Sequence, residues 1–256
     1  MLPDWDPNRL AAKIPFNLGL IGGRRQGKSV AQADLVRRMS SRFDLVVAFI
    51  GSAACSPVLA KLMEMHWDPR FFFSSWDDEL ISRLLAQQEH LKKNGVTRNV
   101  LLIVDDVVVT SKAEEQLANM GMRGRHFNIS LAMCAVSYTS LPKRLRRSLD
   151  VLLVFSLPMT GDLKILTWEF CQQQEMAQFA LRNLEDHQAL VLETLNKRQE
   201  LFVWRADHVT VESLERGQAP QTESPPPGSP KTEPDGDCDG ADPEVCRPTE
   251  TDEPAR

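Results

Sequence analysis

The sequence predicts an α/β fold built on a mostly parallel β-sheet. Three observations carry that expectation. Short apolar runs alternate with helix-patterned segments along the body. The string Gly22-Gly23-Arg24-Arg25-Gln26-Gly27-Lys28-Ser29 lies between the first run and the first helical segment. A later run, Val100-Leu101-Leu102-Ile103-Val104, ends in Asp105-Asp106.

The elements follow in order. Asn17–Ile21 is the first strand, with both faces covered, since it is apolar without alternation. A helix over 28–39 follows, with Val30, Ala33, Leu35 and Met39 as inward positions. Leu45–Ile50 is the second strand. A helix over 76–93 follows Ser75, with Asp78 three residues on as an acidic variant of the capping box. Residues 100–104 form the third strand and 112–120 the next helix. Ile129–Ala135 is the fourth strand, followed by a helix over 142–149 and a fifth strand over 151–155. Runs at 189–192 and 201–204 flank Asn196-Lys197-Arg198 and predict a closing C-terminal β-hairpin. Strand-helix alternation of this kind implies right-handed parallel crossovers.

Composition narrows the classes. The chain has 256 residues, 42% hydrophobic and 25% charged, which is ordinary globular usage. No run approaches the roughly 20 apolar residues of a membrane span. Met1-Leu2-Pro3-Asp4-Trp5-Asp6 holds two acids and no apolar run, so a secretory signal is not expected. The location expected is intracellular, cytoplasmic or nuclear. Cys55, Cys134, Cys171, Cys238 and Cys246 include no C-x-x-C pair. That argues against a disulfide framework or a zinc site, and Cys134 reads as a small core residue.

Charge is uneven. From Gly217 onward there are 10 acids and 3 bases, a net of −7. The whole chain is −5, so residues 1–216 carry +2. Nine of the 16 prolines also fall between Pro220 and Pro254. Such a segment buries too little apolar surface to offset its ordering entropy. The expected organisation is one domain over 1–213 and a disordered, acidic, Pro-rich tail over 214–256. The tail is either a solubilising segment or a docking one.

The glycine-framed string matches the phosphate-loop pattern G-x-x-x-x-G-K-[ST] at every fixed position. Its strand-loop-helix context is the one that chemistry needs. Gly22, Gly23 and Gly27 let the backbone of Gly22–Ser29, including Arg24, Arg25 and Gln26, turn its N–H groups toward phosphate oxygens. The following helix adds the positive end of its dipole. Lys28 reaches the β- and γ-phosphates, and the Ser29 hydroxyl can ligate Mg²⁺. ATP with Mg²⁺ is the expected ligand. Asp105, at the carboxyl end of a strand, would hold the same Mg²⁺, and Asp106 is the candidate base or water-orienting acid.

Two basic patches remain: Arg123-Gly124-Arg125-His126, and Lys143-Arg144-Leu145-Arg146-Arg147. They can complete a neighbour's ATP site, line a channel for nucleic-acid phosphates, or be a solvated helical face.

Taken together, the phosphate loop, residues 100–106, and Gly124-Arg125-His126-Phe127-Asn128-Ile129-Ser130 continuing to Ser137-Tyr138-Thr139-Ser140-Leu141-Pro142-Lys143 resemble one family. It is the genome-packaging ATPases of poxviruses and other nucleocytoplasmic large DNA viruses, in the FtsK–HerA superfamily. Phe49-Ile50-Gly51-Ser52-Ala53-Ala54-Cys55 also looks like them. The resemblance implies a RecA-like P-loop NTPase core and a homo-oligomeric ring. It also implies ATP-driven translocation of double-stranded DNA, with capsid or other motor components as possible partners. On it, Lys28 and Ser29 match Walker A, Asp105-Asp106 match Walker B, and Arg125 or Arg123 would act in trans. The chain departs from the pattern twice. Val136 stands where the family usually has Gln, and its side chain can neither donate nor accept a hydrogen bond. Arg24-Arg25-Gln26 replaces small residues. A non-hydrolysing nucleotide-binding scaffold and a P-loop nucleotide kinase are the alternative readings.

Overall fold

The computed structural model describes residues 2–51, 56–107, 110–157, 159–196 and 198–217. Residues 52–55 of the family-like stretch, Lys197 of the hairpin turn, and the expected tail beyond residue 217 lie outside the described residues.

In chain order the elements are α1 (Asn8–Ala11), β1 (Asn17–Ile21), α2 (Lys28–Arg38), β2 (Leu45–Ile50), α3 (Pro57–His66) and β3 (Phe72–Phe73). Then come α4 (Asp78–Lys93), β4 (Val100–Asp105), α5 (Ser111–Arg123), β5 (Ile129–Ala135) and α6 (Lys143–Arg146). The chain continues with β6 (Val151–Val154), α7 (Thr160–Phe170), α8 (Gln174–Arg182), β7 (Gln188–Glu193), β8 (Glu200–Arg205) and α9 (Val211–Gly217).

The eight strands form one sheet in the order β3-β2-β4-β5-β1-β6-β7-β8. Strands β3 through β6 in that order pair in parallel. The pairs β6–β7 and β7–β8 are antiparallel, which makes the expected C-terminal hairpin an extension of the sheet. Alternate strand residues point to opposite faces. Leu18, Leu20, Leu101, Ile103, Ala132 and Cys134 share one core layer with α2 and α3. Leu102, Val104, Leu131 and Met133 share the other with α4, α5 and α6. Strand β5 lies between β1 and β4, so the phosphate-loop strand and the acid strand flank it.

Three expected boundaries are corrected. Helix α4 starts at Asp78, because the Asp77 carboxylate accepts the N–H groups of Glu79 at 2.9 Å and Leu80 at 3.0 Å. Asp77, not Ser75, therefore caps it. Helix α6 is a single turn rather than a helix over 142–149. The Ser148 N–H and hydroxyl both donate to the Leu145 carbonyl at 2.8 Å and end it. Helix α5 is longer than expected, with the Thr110 hydroxyl oxygen accepting the Ala113 N–H at 3.3 Å. At the C-terminal end α9 crosses residue 213, and its Leu214 is buried among core side chains.

Candidate active site

The Gly22–Ser29 segment leaves the carboxyl end of β1 and enters α2 directly. Gly27 is the residue before the helix, at φ 97°, a conformation that costs a glycine little. A methyl group there would also meet the His187 Nδ1 at 3.2 Å. The Lys28 ammonium donates to the Gly22 carbonyl at 2.8 Å and the Gly23 carbonyl at 2.7 Å, so it lies across the mouth of the loop. Burial lowers its pKa, and the charges of Asp105 and Asp106 oppose that shift. Phosphate oxygens would replace two neutral carbonyls with stronger, charge-assisted partners.

Asp105 closes β4 on the side of the sheet that carries α2, two residues beyond Ile103. In register it lies beside Cys134, which lies beside Leu20 of β1. The Ser29 hydroxyl and the Cys134 thiol lie near the carboxylate and favour its charged form. Gln32, one turn into α2, donates its Nε2 to the Cys134 Sγ at 3.2 Å. Asp105 is only 8% exposed, and burial pushes its pKa up. The Lys28 charge and the neighbouring Ser29 and Cys134 pull it down, while Asp106 pushes it up. A neighbouring hydroxyl and carboxylate, beside a loop built for phosphates, are the hard oxygen donors that Mg²⁺ takes. Among the described residues no group of three or more His, Cys, Asp or Glu could cage a metal.

Asp106 is exposed and bends the chain at φ 50°. Asp tolerates this left-handed region better than most residues. The neighbouring strand helps to hold the bend. The Gly51 N–H donates to the Asp105 carbonyl at 2.9 Å, and a methyl group on Gly51 would lie 1.8 Å from the Asp106 carbonyl oxygen. The backbones of β2 and β4 thus touch where the second acid emerges.

The remaining expected residues separate into two groups. Arg24 and Arg25 are exposed within the loop, with Gln26 partly covered. Arg123 and Arg125 precede β5, at the opposite end of the strands from Gly22. The five residues of β1 alone span about 16 Å. Neither arginine therefore completes the loop of its own subunit. Arg125 instead lines a cavity of about 510 Å³ with Asn17, Met122, Arg147 and Asp150. Of the second patch, Arg146 is no solvated side chain. It is 11% exposed, pairs with Glu169 at 3.1 Å and lies over the Tyr138 ring at 4.8 Å. Val136 lies just past β5 and is 50% exposed.

Three neighbours of the site escaped sequence reasoning: Gln32, Cys134 and His187. Cys134 is buried, as expected of a core residue, but it also lies beside Asp105 in the sheet register. The period-2 register of β5 against β4 is the signal that could have placed it. Nothing local marks His187.

The family model described as "Poxvirus A32 protein" matches residues 4–169. The chain belongs to the poxvirus A32 protein family. The matched span holds the phosphate loop, Asp105-Asp106 and the block from Gly124 to Lys143, so the family resemblance drawn from those motifs stands. No curated protein sequence matches. Among solved structures, this A32-family chain is similar to the DNA-packaging ATPase B204 from Sulfolobus turreted icosahedral virus. The two share 16% identity and a TM-score of 0.54, over 77% of this chain and 100% of that one. It is also similar to B204 from Sulfolobus turreted icosahedral virus 2, solved in complex with ATP-gammaS. There identity is 15% and the TM-score 0.51, over 79% and 99% of the two chains. EssC (ATPases 2 and 3) from Geobacillus thermodenitrificans gives 16% and 0.53, over 78% of this chain and 42% of that chain. At these identities the likeness is one of fold: the mostly parallel sheet is that of a P-loop NTPase.

Proposed function

We propose that this A32-family chain is the ATPase subunit of a genome-packaging motor, which hydrolyses ATP to translocate double-stranded DNA. The convergence of Ser29 and Asp105 beside the Lys28 loop is the observation that carries the reading. It supports a Mg²⁺–triphosphate site whose two halves would flank β5. Family membership and B204-like fold support the packaging role.

In this reading the N–H groups of Gly22–Ser29 bind the β- and γ-phosphates, and Lys28 turns from the Gly22 and Gly23 carbonyls onto them. Mg²⁺, when bound between Ser29 and Asp105, supplies charge neutralisation of the phosphoryl oxygens. Asp106 orients the attacking water. Arg125 or Arg123 from a neighbouring copy stabilises charge on the transferred group, which requires a ring. Exposed cations such as Arg123, Lys143 and Arg144 engage DNA phosphates, so affinity for DNA falls steeply with salt. Capsid or other motor components are the fitting partners, and a viral assembly site is the fitting location.

The test is ATP turnover with and without double-stranded DNA, on wild type and Lys28→Ala. The reading requires DNA-stimulated turnover that Lys28→Ala abolishes. Turnover untouched by that change removes its basis. Val136 favours a second reading, a nucleotide-binding protein that does not hydrolyse. ATP binding without turnover, and turnover restored by Val136→Gln, would select it.

A further inference from the structure

The antiparallel strand β7 starts beside the end of β6, because Leu190 pairs with Val154. That is the pole of the sheet from which the phosphate loop rises, where the Gly23 N–H donates to the Ser156 carbonyl at 3.0 Å. The turn entering β7 carries His187. It is a built turn: the Gln188 N–H donates to the Glu185 carbonyl at 3.0 Å, and the Glu185 N–H to the Gln188 Oε1 at 3.2 Å. Arg205 of β8 anchors it through Glu185 at 2.6 Å. Inside this frame His187 takes φ 60°, a left-handed conformation that His adopts more readily than most residues. Its side chain is exposed, yet it stands against the loop. A methyl group on Gly27 would meet the ring Nδ1 at 3.2 Å, Cβ at 3.6 Å and Cγ at 3.7 Å.

A hydrogen-bonded turn that holds an exposed ring against the loop is not what core packing requires. Gly27 is the residue before helix α2, where the free N–H groups of the helix start attract phosphate. A ring touching Gly27 lies within about one phosphate unit of that track, and an imidazole always carries at least one N–H donor. Resting on the triphosphate-site reading, we propose that His187 is a nucleotide-binding residue. Its imidazole donates a hydrogen bond to the phosphate chain of the triphosphate in the loop.

The experiment is equilibrium binding of ATP and of inorganic tripolyphosphate, each with Mg²⁺, by competition against a fluorescent ATP analogue. The full chain is used as wild type, His187→Gly, His187→Asn and Lys28→Ala. Glycine accepts the positive φ and removes the ring, so the melting temperature without ligand should not fall. His187→Gly should weaken both ligands by about tenfold, the scale of one hydrogen bond to a charged group. Asn tolerates the same φ and carries an N–H donor, so His187→Asn should stay within about threefold of wild type. Unchanged affinity of His187→Gly for both ligands overturns the proposal. So does a loss for ATP with none for tripolyphosphate, which would put the ring on the nucleoside. Lys28→Ala separates the two readings. If it also binds normally, the loop is not the site. If it fails to bind while His187→Gly binds normally, only the role of His187 is lost.

Discussion

Asp105→Asn is expected to leave the ligand-free fold as stable as wild type, or more so, while removing most nucleotide turnover. Asp105 is 8% exposed, and its charge is disfavoured by burial. The amide oxygen of Asn still offers an acceptor beside Ser29 and Cys134, and Lys28 keeps its bonds to the Gly22 and Gly23 carbonyls. The fold sheds a buried charge whose burial outweighs its attraction to Lys28. The bound state differs, because the metal-side charge is gone. A contact with a charged group contributes about 1.5–3 kcal/mol, so kcat/KM should fall roughly tenfold to 150-fold. Thermal unfolding separates the two effects. Mg²⁺-ATP at about 100 times its Kd stabilises a native state by about 2.7 kcal/mol. At about 2–4 °C per kcal/mol, the wild-type domain should melt roughly 5–10 °C higher with the ligand. Asp105→Asn should lose at least about half of that shift yet match or exceed wild type in EDTA. A variant that melts several degrees below wild type in EDTA, or keeps the full shift, refutes the reasoning.

The same carboxylate sets a pH dependence. Its folded pKa lies above the unfolded one, so it weakens the fold above the folded pKa, and that penalty fades as pH falls. The denaturation difference between Asp105→Asn and wild type should be largest near neutral pH and vanish in acid; one that grows on acidification contradicts the assignment. Gly51→Ala drives a methyl group into the Asp106 carbonyl. It should cost about 1–3 kcal/mol in urea titration and lower turnover with it, and wild-type stability would show that the contact is loose. For the arginines, Arg125→Ala should be inactive alone and regain turnover when mixed with Lys28→Ala, since the Lys28→Ala copy then lends its Arg125 to the intact loop of the Arg125→Ala copy. Mixtures with no activity beyond either parent argue against a shared site.

Much of this architecture could be read from patterns that are local. The strands Asn17–Ile21, Leu45–Ile50 and Ile129–Ala135 stand at the expected residues, because buried parallel strands are unbroken apolar runs. The phosphate loop and Asp105 were legible because each is a contiguous motif. Other elements left weaker traces. Strand β3 is two residues, Phe72–Phe73, too short for any period. In α7 and α8, Trp168 is 75% and Phe179 71% exposed, so apolar residues fall on the outer face and blur the helical stripe. Helix α4 was placed, but its cap was not, since Ser75 and Asp77 are both good caps and only geometry selects Asp77. The least legible residues are the ones that reach the site through the fold. Cys134 meets Asp105 by sheet register, Gln32 meets Cys134 one turn into a helix, and His187 arrives 160 residues after Gly27. Arg125 is the reverse case: a motif with clear chemistry that the fold carries to the far end of the sheet.

The most direct measurement is a structure of the chain with Mg²⁺ and a slowly hydrolysed ATP analogue. The account requires the phosphates within the Gly22–Ser29 turn, the metal between Ser29 and Asp105, and Lys28 moved off the Gly22 and Gly23 carbonyls. A nucleotide lodged elsewhere, such as the cavity lined by Arg125 and Arg147, with Lys28 still on those carbonyls, would contradict it.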